Sequence, residues 1–306
     1  MIQRVTQSAL VRVLSANTSR LQSELVRTQA VVSSQKRLQT ASDDPVGTAL
    51  VNGFRAETRR LESLLDGVGF GRAVLGAQDA AIDEVHALLT RAKELAVTFS
   101  GGVQNPESRA TAAEETEQIE RALLSLGNTT VAGRHIFGGL ARGNPPFIAF
   151  DDPGYDPDVN GSTYSGPTDP FSIQTAADQL VRLTTPGDQV FDDAILAVHQ
   201  LTTALRNNDV DTPGTGIIAA IDNVEAASEG ARQERASVGG RLGRLNTRDV
   251  EMRDAIVGAR TRQGEIEDAD LTQVLIDLAQ LQNALEVTLT AGQALLATNV
   301  LDFVRL

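Results

Sequence analysis

Cysteine is absent from this chain, which excludes disulfides, thiolate metal sites and cysteine nucleophiles. Tryptophan is absent too, and aromatic residues make up only 4% of the 306 positions. A core without them has to be built from Leu, Val, Ile and Ala, which suits long helices packed side by side better than a compact enzyme fold. No window reaches the roughly 18 consecutive apolar residues of a membrane-spanning helix, so no membrane insertion is expected. The opening Met-Ile-Gln-Arg-Val-Thr-Gln-Ser-Ala-Leu has no apolar run of the kind a cleaved secretory signal needs. If the chain leaves the cell, it is expected to do so without one. Positive charge is also in short supply. A net charge of −13 argues against a nucleic-acid partner, which would require cations to displace phosphate counterions.

Motifs for catalysis are missing as well. The three histidines, His86, His135 and His199, are far apart in sequence and none belongs to a His-Glu-x-x-His zinc helix. His86 and His199 read as helix-face residues, and His135 as packing at a turn. There is no Gly-x-Ser-x-Gly and no P-loop. Gly67, Gly69, Gly71 and Gly76 look like a dinucleotide motif only at first sight, because Arg72 stands where its last glycine would be. Two adjacent acids, Asp151 and Asp152, with Asp156 and Asp158, suggest calcium, but the closing Glu of an EF-hand loop is replaced by Ser162 or Thr163. No enzyme activity, no cofactor and no metal site is expected. The acidic stretch reads as a solvated loop.

What the chain does have is an apolar stripe at each end. Leu271, Leu278 and Leu285 stand seven apart, and Leu275, Leu289 and Leu296 lie on a second seven-residue lattice with Gln282 between them. Near the start, Leu14 and Leu21 are seven apart, as are Leu25 and Val32, with Leu10 on the same stripe. Such rows mark one face of a helix that must be buried against something. Ile2 to about Thr40 contains no Gly or Pro and is predicted to form one long helix. With so thin a stripe it would be marginal alone, since tertiary contact supplies most helical stability. These eleven residues are the candidate assembly interface, against each other or against neighbouring molecules.

Between the ends, Ala41-Ser42-Asp43-Asp44-Pro45-Val46-Gly47 reads as a joint between two helices. Pro45 disfavours helix at Asp44 and suits the first position of the next helix. Asp44 can cap that helix, and Asp43 adds charge favourable to its positive end. Helical spacing runs from Pro45 towards Val97, and Asn105-Pro106 opens a third helix. At Gly133 the texture turns to Gly, Pro and Asp, with short strands predicted at Phe147–Phe150, Thr163–Tyr164, Phe171–Gln174 and Leu180–Leu183. Helical spacing returns at Phe191, and Pro213–Ile266 reads as one long helix in which Gly239, Gly240 and Gly243 permit close packing. Asp268 or Asp270 can cap the last helix. The predicted fold is mainly α with a small β-rich insert, an elongated rod of long antiparallel helices whose terminal helices pair as a coiled coil. Its expected domains are a terminal assembly domain (1–42 with 267–306), a helical rod (43–132 with 191–266) and the outer insert (133–190).

On these residues the chain resembles the flagellin superfamily. Ala41–Gly47 with Thr48-Ala49-Leu50 is similar to that family's helix joint, Arg91–Ala96 to the end of its first rod helix, and Asp270–Leu306 to its C-terminal coil. Two further segments resemble the hook–filament junction members: Gly133-Arg134-His135-Ile136-Phe137-Gly138-Gly139, and Pro186-Gly187-Asp188-Gln189-Val190-Phe191. The resemblance implies a structural subunit outside the cell, exported through the flagellar type III export apparatus after a cytoplasmic flagellar export chaperone has covered its C-terminal coil. It implies a ring of copies of the chain between hook-associated protein 1 and flagellin. A short flagellin forming the filament itself, or a cytosolic coiled-coil adaptor, are the alternatives.

Overall fold

A computed structural model describes the chain apart from residues 1, 102–103, 141–142, 158–163, 168, 177–178 and 305–306, and apart from the side chains of residues 2–8, 10 and 295–304. It is mainly α with two small antiparallel sheets, in the order α1 (Ile2–Ser34), α2 (Pro45–Phe99), α3 (Pro106–Gly127), β1 (Thr130–Val131), β2 (Arg134–His135), β3 (Ser172–Ala176), β4 (Gln179–Arg182), α4 (Asp193–Arg206), α5 (Ile217–Glu267) and α6 (Leu271–Val304). Two compact units result, Met1–Arg60 with Ile256–Leu306, and Leu61–Ala255.

The core of the second unit is aliphatic, as a chain so poor in aromatics requires. Val68, Leu75, Ile82, Val85 and Leu89 of α2 are buried together with Ile119 and Leu123 of α3, Ile195, Val198 and Leu201 of α4, and Val224 and Val238 of α5. Asn105 caps α3, its side chain accepting from the Ser108 amide, with Pro106 at the first helical position. Few of the helix glycines are packing points. A Cβ on Gly67, Gly69, Gly76, Gly239, Gly240 or Gly243 would meet nothing within 4 Å, so the expected close approach at 239, 240 and 243 is not made in this unit. Gly71 is different. A Cβ there would stand 2.9 Å from methyl groups of Ile173, Leu183 and Leu245 at once.

What few aromatics there are gather at the root of the insert. Phe137 packs edge-on against Phe191 with ring centroids 4.8 Å apart, and Phe147 lies 5.4 Å from both Phe191 and Tyr164. The Gly187 amide donates to the Phe137 carbonyl at 3.0 Å, so the segments 133–139 and 186–191 meet in space. Asn128 fixes the approach of Phe147, donating to its carbonyl and accepting from its amide. The Tyr164 hydroxyl donates to the carbonyls of Phe137 and Pro167, and burial pushes its pKa up to about 12.

Several predicted boundaries are corrected. Helix α1 stops at Ser34 and not near Thr40. Gln35 takes a left-handed φ of 59°, and the backbone then bridges Asp268 through Lys36. That stop is imposed by a distant segment, so a stretch free of Gly and Pro carried no sign of it. Helix α5 begins at Ile217 and not at Pro213, because the Ile217 amide is used by the Asp209 carbonyl in a loop that turns at Gly214. Phe147–Phe150 is not a strand, since only Phe147 forms a bridge, to Tyr164. Thr163 lies outside the described residues. Gly133 sits with Ala132 in the hairpin turn between β1 and β2, both at positive φ, as tight hairpins require, and the strand starts at Arg134.

Gly71 and Gly239 therefore predict opposite responses to alanine. Gly71→Ala should lose about 1–3 kcal/mol through overpacking. Gly239→Ala should gain about 0.5–1 kcal/mol from helix propensity. Urea unfolding of the two variants beside the parent chain measures both.

Candidate assembly interface

The first unit is organised by how its two chain-end helices are held. Asp44 leaves the helical path before Pro45, and its Oδ1 accepts from the Gly47 amide at 2.8 Å while its carbonyl accepts from Thr48. A Cβ on Gly47 would stand 2.9 Å from the carbon of that carboxylate, so a larger residue there would make the Asp44 side chain shift. Asp43 does not serve α2. It faces the preceding turn, where Oδ2 accepts from the amides of Thr40 and Gln39 and Oδ1 pairs with Arg27 at 2.5 Å. These backbone hydrogen bonds, with help from Arg27, hold the Asp43 carboxyl below its ordinary pKa.

Opposite this joint, α5 ends in a buried carboxylate. The Glu267 side chain is 4% exposed and pairs with Lys36 at 2.6 Å and with Arg55. Gln263 donates to its second oxygen at 2.7 Å. The backbone closes the same contact: the Arg37 amide donates to the Glu267 carbonyl at 2.8 Å, and the Ala269 amide to the Gln35 carbonyl at 3.0 Å. Burial works to raise the Glu267 pKa, but the hydrogen bonds from Lys36 and Gln263 and the nearby Arg55 outweigh it and leave the carboxyl below its usual range. Three residues after Glu267, Asp270, and not Asp268, caps α6 by accepting from the amides of Thr272 and Gln273. Asp268 is used in the bridge to Lys36.

From this fixed point α1 and α6 run antiparallel. Lys36 stands beside Asp268 at one end, and at the other a Cβ on Gly292 would lie 2.7 Å from a Leu14 methyl. Half-buried residues on α1 recur at 14, 18, 21, 25, 28 and 32, and on α6 at 274, 278, 281, 285 and 288, ending at buried Gly292. This alternation of three and four is the seam of a coiled coil. Carried along both lattices, the register puts Leu21 level with Leu285 and Leu25 level with Leu281.

The predicted interface residues therefore separate into two groups. Leu14, Leu21, Leu25 and Val32 lie on the seam of α1, and Leu278 and Leu285 on that of α6. Leu271, Leu275 and Leu289 do not. They are 37%, 52% and 46% exposed, along one flank of the seam. The side chains of Leu10 and Leu296 lie outside the described residues. Leucine spacing alone missed Val274, Leu281 and Gly292, and with them the seam threonines. Thr18, Thr28 and Thr288 keep the heptad because each hydroxyl donates to the carbonyl four residues back on its own helix.

In the second unit a buried polar cluster was also missed. Glu120 of α3 is 1% exposed, and one of its oxygens accepts from the Tyr155 hydroxyl and lies 2.9 Å from His199 Nδ1 on α4. Burial, then the bond to Glu120, drives the Tyr155 pKa upward. His199 is thus more than a helix-face residue, whereas His86 contacts Ser228 at 2.9 Å and His135 the Asn128 carbonyl at 2.9 Å. The cluster ties the 150–155 loop to the helices and satisfies each buried group. Among the described residues no group of three His, Asp or Glu could hold a metal ion.

Residues 6–141 match the bacterial flagellin N-terminal helical region. The chain is 23% identical to flagellar hook-associated protein 3 of Escherichia coli K12 over 297 residues, covering 88% of this chain and 90% of that protein. It is 24% identical to a flagellin of Halalkalibacterium halodurans over 268 residues, covering 87% and 84%. Its fold is similar to the crystal structure of the flagellar junction protein FlgL from Legionella pneumophila, with a TM-score of 0.56 at 12% identity, covering 71% of this chain and all but a fringe (99%) of that one.

Glu267→Gln is expected to weaken the α1–α6 pair by about 1–3 kcal/mol, less than for a fully buried pair because Lys36 and Arg55 remain partly in water. Amide exchange on residues 11–34 should speed up while the second unit is unchanged. Because the folded pKa is depressed, the Glu267 contribution is complete above the unfolded carboxylate pKa. It is lost as pH falls through the lower folded value. Parent and Glu267→Gln should therefore converge in acid.

Proposed function

We propose that this member of the flagellin superfamily is a structural subunit of the bacterial flagellum, and that it acts as the junction adaptor between hook-associated protein 1 and the flagellin filament. The observation that carries the reading is the pair of apolar systems on the terminal helices. One is consumed by the α1–α6 seam, and the other, Leu271, Leu275 and Leu289, is left uncovered. An exposed apolar row along a paired helix suits a subunit whose remaining partners are other subunits. The same reading makes 1–42 with 267–306 the assembly domain, 43–132 with 191–266 the rod, and 133–190 the outer part. Copies of the chain would form a ring outside the cell. Before export through the type III apparatus, a cytoplasmic chaperone would cover the apolar face of α6.

The meeting of segments 133–139 and 186–191 through Phe137 and Phe191 supports the junction member over a filament protein, because these are the segments in which the chain resembles junction proteins. The flagellin reading is kept alive by the H. halodurans flagellin, which matches a similar share of the chain at a similar identity. Relatives of both kinds are structural flagellar proteins and not enzymes.

Two pairs of substitutions separate the seam from the uncovered row. Leu275→Asp with Leu289→Asp should leave the helicity of the purified chain within error of the parent. In cells lacking the parent chain, it should abolish incorporation into flagella. Leu278→Asp with Leu285→Asp should instead reduce helicity in the isolated chain. Normal flagella in cells carrying only the first variant would remove the uncovered row from assembly.

A further inference from the structure

The two terminal helices carry opposite charge. Helix α1 holds Arg4, Arg12, Arg20 and Arg27 against Glu24, and α6 holds Asp277, Glu286 and Asp302 with no cation. Opposite charge on paired helices ordinarily serves the pair. Here it does not. Arg27 turns to Asp43, and Asp277 is used by Gln273 of its own helix. Arg12, Arg20 and Glu286 are exposed, lie off the α1–α6 seam and make no ion pair among the described residues. Their charge is therefore left for something outside the subunit.

The outer face of α1 suits another helix. Its middle row is small, with Ala9, Ala16, Ser23 and Ala30 seven apart and all exposed. The distance between packed helices follows the side chains at the contact, so such a row admits a close neighbour. Beside it stand Val13 and Val26, 61% and 63% exposed. On the outer face of α6, Glu286 lies between the exposed Ile276 and Leu289. Val13 to Val26 and Ile276 to Leu289 are both steps of thirteen residues, about 20 Å of helix. Copies related by rotation in a closed ring point the same way. Helix α1 of one and α6 of the next then run antiparallel, as they do within the chain. With Val13 level with Leu289, Val26 comes level with Ile276, and Glu286 with the small Ala16. Arg12 and Arg20, four residues to either side of Ala16, then flank the Glu286 carboxylate about one turn away on each side. Guanidinium and carboxylate groups so placed form charge-assisted hydrogen bonds.

We propose that α1 of each copy packs antiparallel on the outer face of α6 of a second copy, with Glu286 held between Arg12 and Arg20, a contact that rests on the reading of the chain as a ring-forming subunit. The test uses the full chain in cells lacking the parent. Chain bound to isolated hooks is measured by immunoblot against chain secreted into the medium, so that a change in export does not count. Arg12→Glu/Arg20→Glu and Glu286→Arg should each lower that ratio about tenfold or more, because like charges then face each other. The chain carrying all three substitutions should recover most of the loss, because the charges are exchanged and again opposite. All three positions lie off the seam, so the helicity of each purified variant should match the parent. Arg12→Gln/Arg20→Gln serves if the reversed chain does not fold, and should lower the ratio in the same direction. A reversal that leaves the ratio at the parent value overturns the proposal. So does a triple variant as poor as the reversals, which would give the face to hook-associated protein 1 or flagellin instead of a second copy. A parent chain absent from isolated hooks would overturn the ring reading, and the contact with it. A parent that incorporates beside reversals that do so equally well removes the contact alone.

Discussion

The contact on which the terminal helices depend is the buried carboxylate of Glu267. It receives Lys36 from the segment that follows α1 and Arg55 from α2, while backbone hydrogen bonds on either side align Arg37 and Ala269 with the same turn. The ends of α1 and α6 are thereby set next to each other before any leucine is counted. The seam that grows from there is modest. Three of its twelve positions are threonines, one is glycine, and the rest are only half-buried. A helix pair of that kind draws little from burial alone, so the ionic fixed point decides where it starts and in which register. Charge pairs of this type specify geometry more reliably than they add stability.

That register has a consequence for what stays uncovered. A seam built on 274, 278, 281, 285, 288 and 292 turns Leu275 and Leu289 out of the pair. They belong to the flanking lattice and not to the seam. Had the seam run through Leu275 and Leu289, Val274 and Leu281 would have been left outside. The choice rests on small residues: Gly292 lets Leu14 approach to within a methyl contact, and the threonines fold their hydroxyls back onto their own carbonyls. One helix thus has an inner face that closes against α1 and an outer face on which Leu271, Leu275 and Leu289 stay exposed.

How much of this could be read from sequence followed from the kind of signal. The class of fold was legible because long apolar rows at helical spacing have few other meanings, and the joint at Asp44-Pro45 because proline and an acid act locally. The leucine rows revealed that the ends are sticky, but not which leucines face each other, since threonine and glycine at seam positions carry no hydrophobic mark. The end of α1 was hidden because Gln35 turns in response to Asp268, more than two hundred residues away. The Glu120–Tyr155–His199 cluster was hidden for the same reason, as its three members come from separate elements. Glycines misled in the other direction. Gly239, Gly240 and Gly243 of α5, read as packing points, face open space in the second unit, while Gly71 of α2 has side chains against it.

The central claim is that these terminal helices build a junction and not a filament. The most direct measurement is electron microscopy of the purified chain after salting-out in the presence of short filament seeds. The account predicts no filament growth from the chain alone, and its attachment only to hook tips that already carry hook-associated protein 1. Long filaments grown from the chain by itself would contradict it and make the protein a flagellin.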